Sequence, residues 1–238
     1  MPPTPSDRAQ PAIPAGAAVA TWVAAWPIAT LFAAQLALLA LGADTDDLTT
    51  GESAAAVAAG WVVFLAALWY VSSTIGTRDV RADYGVAFRP VDLLGIPAGV
   101  VLQLAVIPLV YWPLRQVWPD AFDPEEVEER ARDLVDRADG PWIWVLAVVL
   151  IVGAPVVEEL VYRGLLQRSL ATRLGRGGAL VAVSLLFALI HFSPVEIPGL
   201  FLAGLVFGAG VALTGRIGPG LVAHAAFNAT GLAAVLWW

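Results

Sequence analysis

Two adjacent carboxylates, Glu158 and Glu159, stand in the apolar run VVEELVYRG, with Arg163 four residues after Glu159. The chain's two histidines also fall in apolar sequence, His191 closing FALIH and His224 opening HAAFN, which ends on Asn228. Ionisable groups in a lipid-embedded segment cost a few kcal/mol each on the lenient scales, so they default to a functional reading. On an α-helix Glu159 and Arg163 share a face and can pair, while Glu158 points about 100° away. That leaves Glu158 to face a wet cavity as a general base for water. His224 and Asn228 are i,i+4 and project together, and both are residue types that donate to a developing oxyanion. A purely structural reading stays open on these residues alone: a buried network that orders helices, acids that already reach the membrane interface, and a His191 that merely ends a helix before Ser193 and Pro194.

The background in which these residues sit fixes the class. Of 238 residues 59% are hydrophobic and 14% charged, against roughly a quarter charged in soluble domains. Repeated apolar runs of about twenty residues read as membrane spans. We expect an all-α, polytopic transmembrane helical bundle of about seven spans, at about 17–41, 54–75, 91–114, 141–163, 178–193, 198–214 and 219–237. Residues 1–16, rich in proline, read as a flexible tail, and 17–238 as one integral membrane domain. The net charge of −7 and the absence of lysine exclude nucleic acid as a partner. With no cysteine there is no thiolate metal site, cysteine nucleophile or disulfide.

Alternating the loops from a cytoplasmic N-terminus puts nine of the thirteen arginines, Arg163 among them, on or near the inner side, and the C-terminus outside. The outer connection before the fourth span contains PEEVEERARDLVDRADG. Val127, Ala131, Leu134 and Ala138 share one face there, with Glu126 and Arg130, Glu128 and Arg132, and Asp133 and Arg137 spaced i,i+4 elsewhere. This predicts a short amphipathic helix on the outer surface. A shared site for Glu158 and His191 demands an adjustment, because His191 lies about 20 Å along its helix from Gly178. The fifth helix must start deeper, or break mid-membrane, or the fourth must extend through Arg163 with a kink at Gly153 and Pro155.

Absences narrow the chemistry. There is no HExxH zinc pair, no GxSxG serine elbow and no GxGD aspartyl motif. A glutamate-activated water remains as the hydrolytic route, with or without a metal on glutamate and histidine.

In order along the chain, EELVYR fits EExxxR, FALIH fits FxxxH and HAAFN fits HxxxN. Together they resemble the CPBP family of intramembrane proteases (the Abi family), which includes the type II CAAX prenyl endopeptidases. The likeness covers about residues 141–238. It implies a glutamic endopeptidase in a bacterial plasma membrane, acting on a membrane-associated or lipid-modified protein or peptide. Glu158 and His191 would activate the water, His224 and Asn228 would hold the oxyanion, and Glu159 and Arg163 would support the site. No cofactor is expected, although zinc on Glu158, Glu159, His191 and His224 is the older view of the family. The rival readings are a non-catalytic membrane chaperone or partner protein of the same fold, and a transporter or proton relay.

Overall fold

The computed structural model describes residues 13–122 and 124–237, and for 124–128 the backbone alone. Helix α1 is Ala15–Leu41, α2 is Thr50–Thr74, α3 is Val80–Tyr84, α4 is Pro90–Val117 and α5 is Pro124–Asp136. The next helical stretch, Trp142–Leu189, is interrupted at Gly175 (φ 71°, ψ 168°), which divides it into α6 (142–174) and α7 (176–189). Helices α8 (Pro194–Thr214) and α9 (Gly218–Trp237) complete an all-helical polytopic bundle, and the protein is an integral membrane protein.

The ends of these helices follow from local chemistry. Thr49 caps α2 by accepting from the Glu52 N–H at 3.2 Å while Glu52 Oε2 accepts from the Thr49 N–H at 2.9 Å, a reciprocal capping box. Prolines inside the long helices remove backbone donors, and the chain responds with wide, i to i+5 turns. These wide turns lie beside Pro27 (Ile28–Ala33) and just before Pro155 (Val149–Gly153). A longer wide-turn stretch, Glu159–Gln167, carries both a site glutamate and Arg163.

The structure departs from the sequence expectations in three places. The expected spans 141–163 and 178–193 are a single helical stretch that doubles back, so among the described residues six helices are long and apolar enough to cross, in keeping with the expected count of about seven. The return arm α7 rises only about 20 Å, short of a membrane core of roughly 30 Å. The expected tail ends early: Ile13 is buried and α1 starts at Ala15, while residues 1–12 lie outside the described residues. Arg163 is not at an inner interface but 1% exposed in the core.

Two sets of loops mark the two faces of the bundle. On one face Arg168 donates to the carbonyl oxygens of Ala82 (3.2 Å), Asp83 (3.3 Å) and Gly215, joining α3 to the loop that follows α8. Arg216 forms a two-pronged ion pair with Asp92, at 2.6 and 2.9 Å. Ile13, at the start of α1, packs in the same core cluster as Leu68, Val71 and Tyr84, which places the beginning of α1 near this face. On the opposite face Arg137 pairs with Asp47 (3.3 Å), not Asp133, and Thr50 donates to the Arg137 carbonyl (2.9 Å). The expected amphipathic helix is present as α5. The expected partners Val127, Glu126 and Glu128 lie outside the described side chains.

Helix α9, which carries His224 and Asn228, is seated against the first turns of α4 through glycine. A Cβ on Gly95 would meet the backbone of Pro219 and Ala223, and one on Gly99 would meet the backbone of Ala223 and Phe227. This GxxxG spacing lets two helices approach at backbone distance. Gly99→Val should therefore push α9 outward at a cost of about 1–3 kcal/mol. The checks are a lowered thermal unfolding temperature in detergent and a several-fold loss of any activity that depends on His224.

Candidate active site

The hairpin of α6 and α7 sets the level of the chemistry. Gly175 lies almost midway in sequence between Glu158 and His191, so the two arms carry these residues back to the same height. Tyr162 and Phe187, likewise equidistant from the turn, meet edge-on with ring centres 5.4 Å apart. Of the three adjustments the sequence allowed, the extension of the fourth helix past Arg163 is the one observed.

Inside the bundle the charged groups are close. Glu159, with a side chain 0% exposed, has its Oε1 3.2 Å from Arg163 NH1 and 3.1 Å from His224 Nδ1. Arg163 also donates to the Gly204 carbonyl (3.3 Å) and lies over the rings of Phe187 (4.5 Å) and Phe207 (5.6 Å). Its NH1 is near Glu159 but not aligned for a hydrogen bond, and Glu159 Oε2 has no partner among the described residues. The attraction there is coulombic in a low-dielectric interior. Gly220 makes the room: a Cβ at that position would sit 2.8 Å from Glu159 Oε2. His224 is stacked on Phe207 at 4.4 Å.

A carboxylate only accepts, so His224 Nδ1 carries the hydrogen toward Glu159 and Nε2 is left aimed at Glu158 Oε2, 3.7 Å away. Glu158, with 28% of its side chain exposed, faces a cavity of about 440 Å³ whose wall also contains Trp26, Trp61, Tyr162 and His191. His191 Nδ1 donates to the Phe187 carbonyl at 2.6 Å, because a carbonyl can only accept. Its Nε2 is thereby the proton-accepting nitrogen of the neutral ring. Glu158 and His191 are not hydrogen-bonded to each other; they share a cavity wall.

Asn228 is placed differently. Its Nδ2 donates to the Leu150 carbonyl at 2.7 Å. Pro155 has no N–H, and in the wide turn preceding it the Ala154 N–H bonds to the Val149 carbonyl five residues back. The next bond in that pattern, from residue 155 to Leu150, cannot form. Asn228 supplies the missing donor, and one of its two amide hydrogens remains for other work. Asn228 lines a second cavity, of about 530 Å³, and His191 is the site residue common to both cavities.

Among the described residues no three His, Asp or Glu side chains are grouped as metal ligands. Glu159 Oε1 and His224 Nδ1 are committed to each other, so of this pair only Glu159 Oε2 and His224 Nε2 are left as donor atoms.

Residues 140–230 match the family model described as Rce1-like, type II CAAX prenyl endopeptidase Rce1-like. This stretch of the chain is similar to that family. It begins just before α6 and ends within α9, so it holds all six site residues and the hairpin that aligns them. Searches of curated proteins and of solved structures gave no match.

Sequence reasoning missed three contributors. Gln167 donates to the Gly208 carbonyl (2.8 Å) one turn beyond the bond from Arg163 to Gly204, so α6 clips α8 twice. The i,i+4 spacing of Arg163 and Gln167 carried that signal. Gly220 and Gly99 act through what they lack, and nothing in a single sequence marks them for it.

Removing the guanidinium leaves a fully buried, uncompensated carboxylate. Arg163→Met should destabilise the protein by about 3–5 kcal/mol, and Glu159→Gln in that background should recover part of the loss; thermal melts of the two variants and the wild type decide it. Asn228→Ala leaves the Leu150 carbonyl unsatisfied, at about 1–3 kcal/mol. Adding Pro155→Ala, which restores an N–H, should return stability without returning Asn228's chemistry.

Proposed function

We propose that the protein is an intramembrane endopeptidase that hydrolyses a peptide bond in a membrane-associated or lipid-modified protein or peptide. The observation that carries this reading is the cavity whose wall contains both the half-open carboxylate of Glu158 and His191 with its accepting nitrogen free. Similarity of residues 140–230 to a protease family supports it.

In this mechanism Glu158 takes a proton from a water in the cavity as the water oxygen bonds to the scissile carbonyl carbon, with His191 Nε2 orienting the second hydrogen. The carbonyl π electrons move onto oxygen, and that charge is stabilised by the unused amide hydrogen of Asn228 and by the Nε2 hydrogen that His224 carries when its ring is the imidazolium, its Nδ1 hydrogen staying with Glu159. Collapse of the tetrahedral intermediate breaks the C–N bond. The departing amine takes the proton from Glu158, so acid and amine are formed and the enzyme is regenerated. Glu159 and Arg163 act as positioning residues. Glu159 fixes the His224 ring so that Nε2 faces Glu158, and Arg163 offsets the charge of Glu159. No metal takes part in this reading.

The arginine-lined face, which bears Arg168, Arg216 and the start of α1, is assigned to the cytoplasm by the excess of basic residues there. The N-terminus is then inside and the C-terminus outside, in a bacterial plasma membrane.

Glu158→Gln should lower peptide cleavage by at least about a thousandfold, in line with the loss of a catalytic base and its oriented water. Because Glu158 is partly exposed, the variant should melt within a few degrees of wild type. Purified protein in nanodiscs, assayed by mass spectrometry of cleaved peptide, tests both. Cleavage by the variant at the wild-type rate would overturn the assignment, and loss of activity on chelation with recovery on added zinc would overturn the metal-free route.

A further inference from the structure

The two cavities that meet at His191 differ in chemistry. The Glu158 cavity presents aromatic and aliphatic side chains, among them Trp26, Phe64 and Phe192. The Asn228 cavity is walled in part by Leu200 and Phe227 but, among the described residues, also carries one cation, Arg115, and one acid, Glu196. Neither has an ion-pair partner among the described residues. Both flank Tyr111: Arg115 lies 5.8 Å over its ring, and Glu196 follows Val195, whose carbonyl accepts from the Tyr111 hydroxyl at 2.6 Å. The same hydroxyl accepts from the Gly199 N–H at 3.2 Å, so Tyr111 fixes the turn that holds Glu196 and begins just after His191.

An unpaired cation and an unpaired acid in one concave site of about 530 Å³ form a receptor for a small molecule bearing both charges, and the volume is within the usual range of ligand sites. Cleavage at His191 generates such a molecule. When the C–N bond breaks, the C-terminal fragment gains an amine at the cut end and keeps its terminal carboxylate. We infer that Arg115 and Glu196 are specificity-determining residues that hold a short C-terminal fragment in this cavity, Arg115 by its carboxylate and Glu196 by its new amine. The acyl side of the substrate then occupies the aromatic cavity. This rests on the proteolytic reading, but the binding site can be tested without turnover.

The probes are trialanine, trialanine amide and N-acetyl-trialanine, with binding to the protein in nanodiscs followed by ligand-observed NMR. Arg115 is exposed, so each charge contact is worth roughly fivefold in affinity. Amidation and acetylation should each weaken binding to wild type by about that factor. Arg115→Gln should abolish the amidation effect alone, and Glu196→Gln the acetylation effect alone. Equal binding of the three probes, no binding at millimolar concentration, or effects that persist in both variants would overturn the inference and leave the catalytic assignment intact. The expected pattern in a protein that cleaves no peptide would instead overturn the catalytic assignment and keep the site.

Discussion

The attraction of Glu159 for both Arg163 and His224 is the constraint around which the rest is arranged. A carboxylate with no exposure to water is tolerable only beside positive charge or donors, and here both come from the surrounding helices: Arg163 from its own, His224 from α9. The arrangement costs much to assemble and gives little net stability compared with an apolar core. Its contribution is orientation. With Nδ1 held, the His224 ring has one remaining direction for Nε2, and that direction is toward Glu158.

Around this centre the helices are drawn close by small residues and by polar clips to backbone carbonyls, alongside the apolar core clusters. Arg163 and Gln167 reach carbonyls of α8, and Asn228 reaches one of α6. Gly95, Gly99 and Gly220 let backbones and a carboxylate occupy space that a methyl group would fill. Lipid provides no hydrophobic drive for helices to associate, so close packing and polar clips have to provide it. The same proline that bends α6 creates the carbonyl that Asn228 satisfies, so the kink and the site residue depend on each other.

Much of this was legible in the sequence. The cost of burying charge singled out Glu158, Glu159 and Arg163, and helical spacing separated the two acids, Glu159 toward Arg163 and Glu158 toward a cavity. The apolar runs gave the spans to within a few residues, except where the chain reverses at Gly175. There, hydropathy registers two lipophilic stretches and cannot tell that they form one continuous helix and a short return arm. The partners of His224 and Asn228 were also illegible. The i,i+4 spacing places the two side chains on one face, but the structure points His224 at the glutamates and commits half of Asn228's amide to Leu150, because the defect made by Pro155 is a tertiary event. Arg163 was assigned to a basic inner border, since a residue count weighs a buried guanidinium and a surface one alike.

The hairpin at Gly175 restricts how such a protein can change length. Glu158 and His191 stand level only because the chain travels equally far down one arm and up the other, and each residue added to one arm alone would offset them by about 1.5 Å and turn the side chain by about 100°. Insertions in one limb must be matched in the other, whereas at the tip Gly177 has open space around it and Gly175, at φ 71°, is held to glycine by its backbone rather than by a neighbour. The distance between the two side chains is thus stored in chain length, like the setting of a caliper.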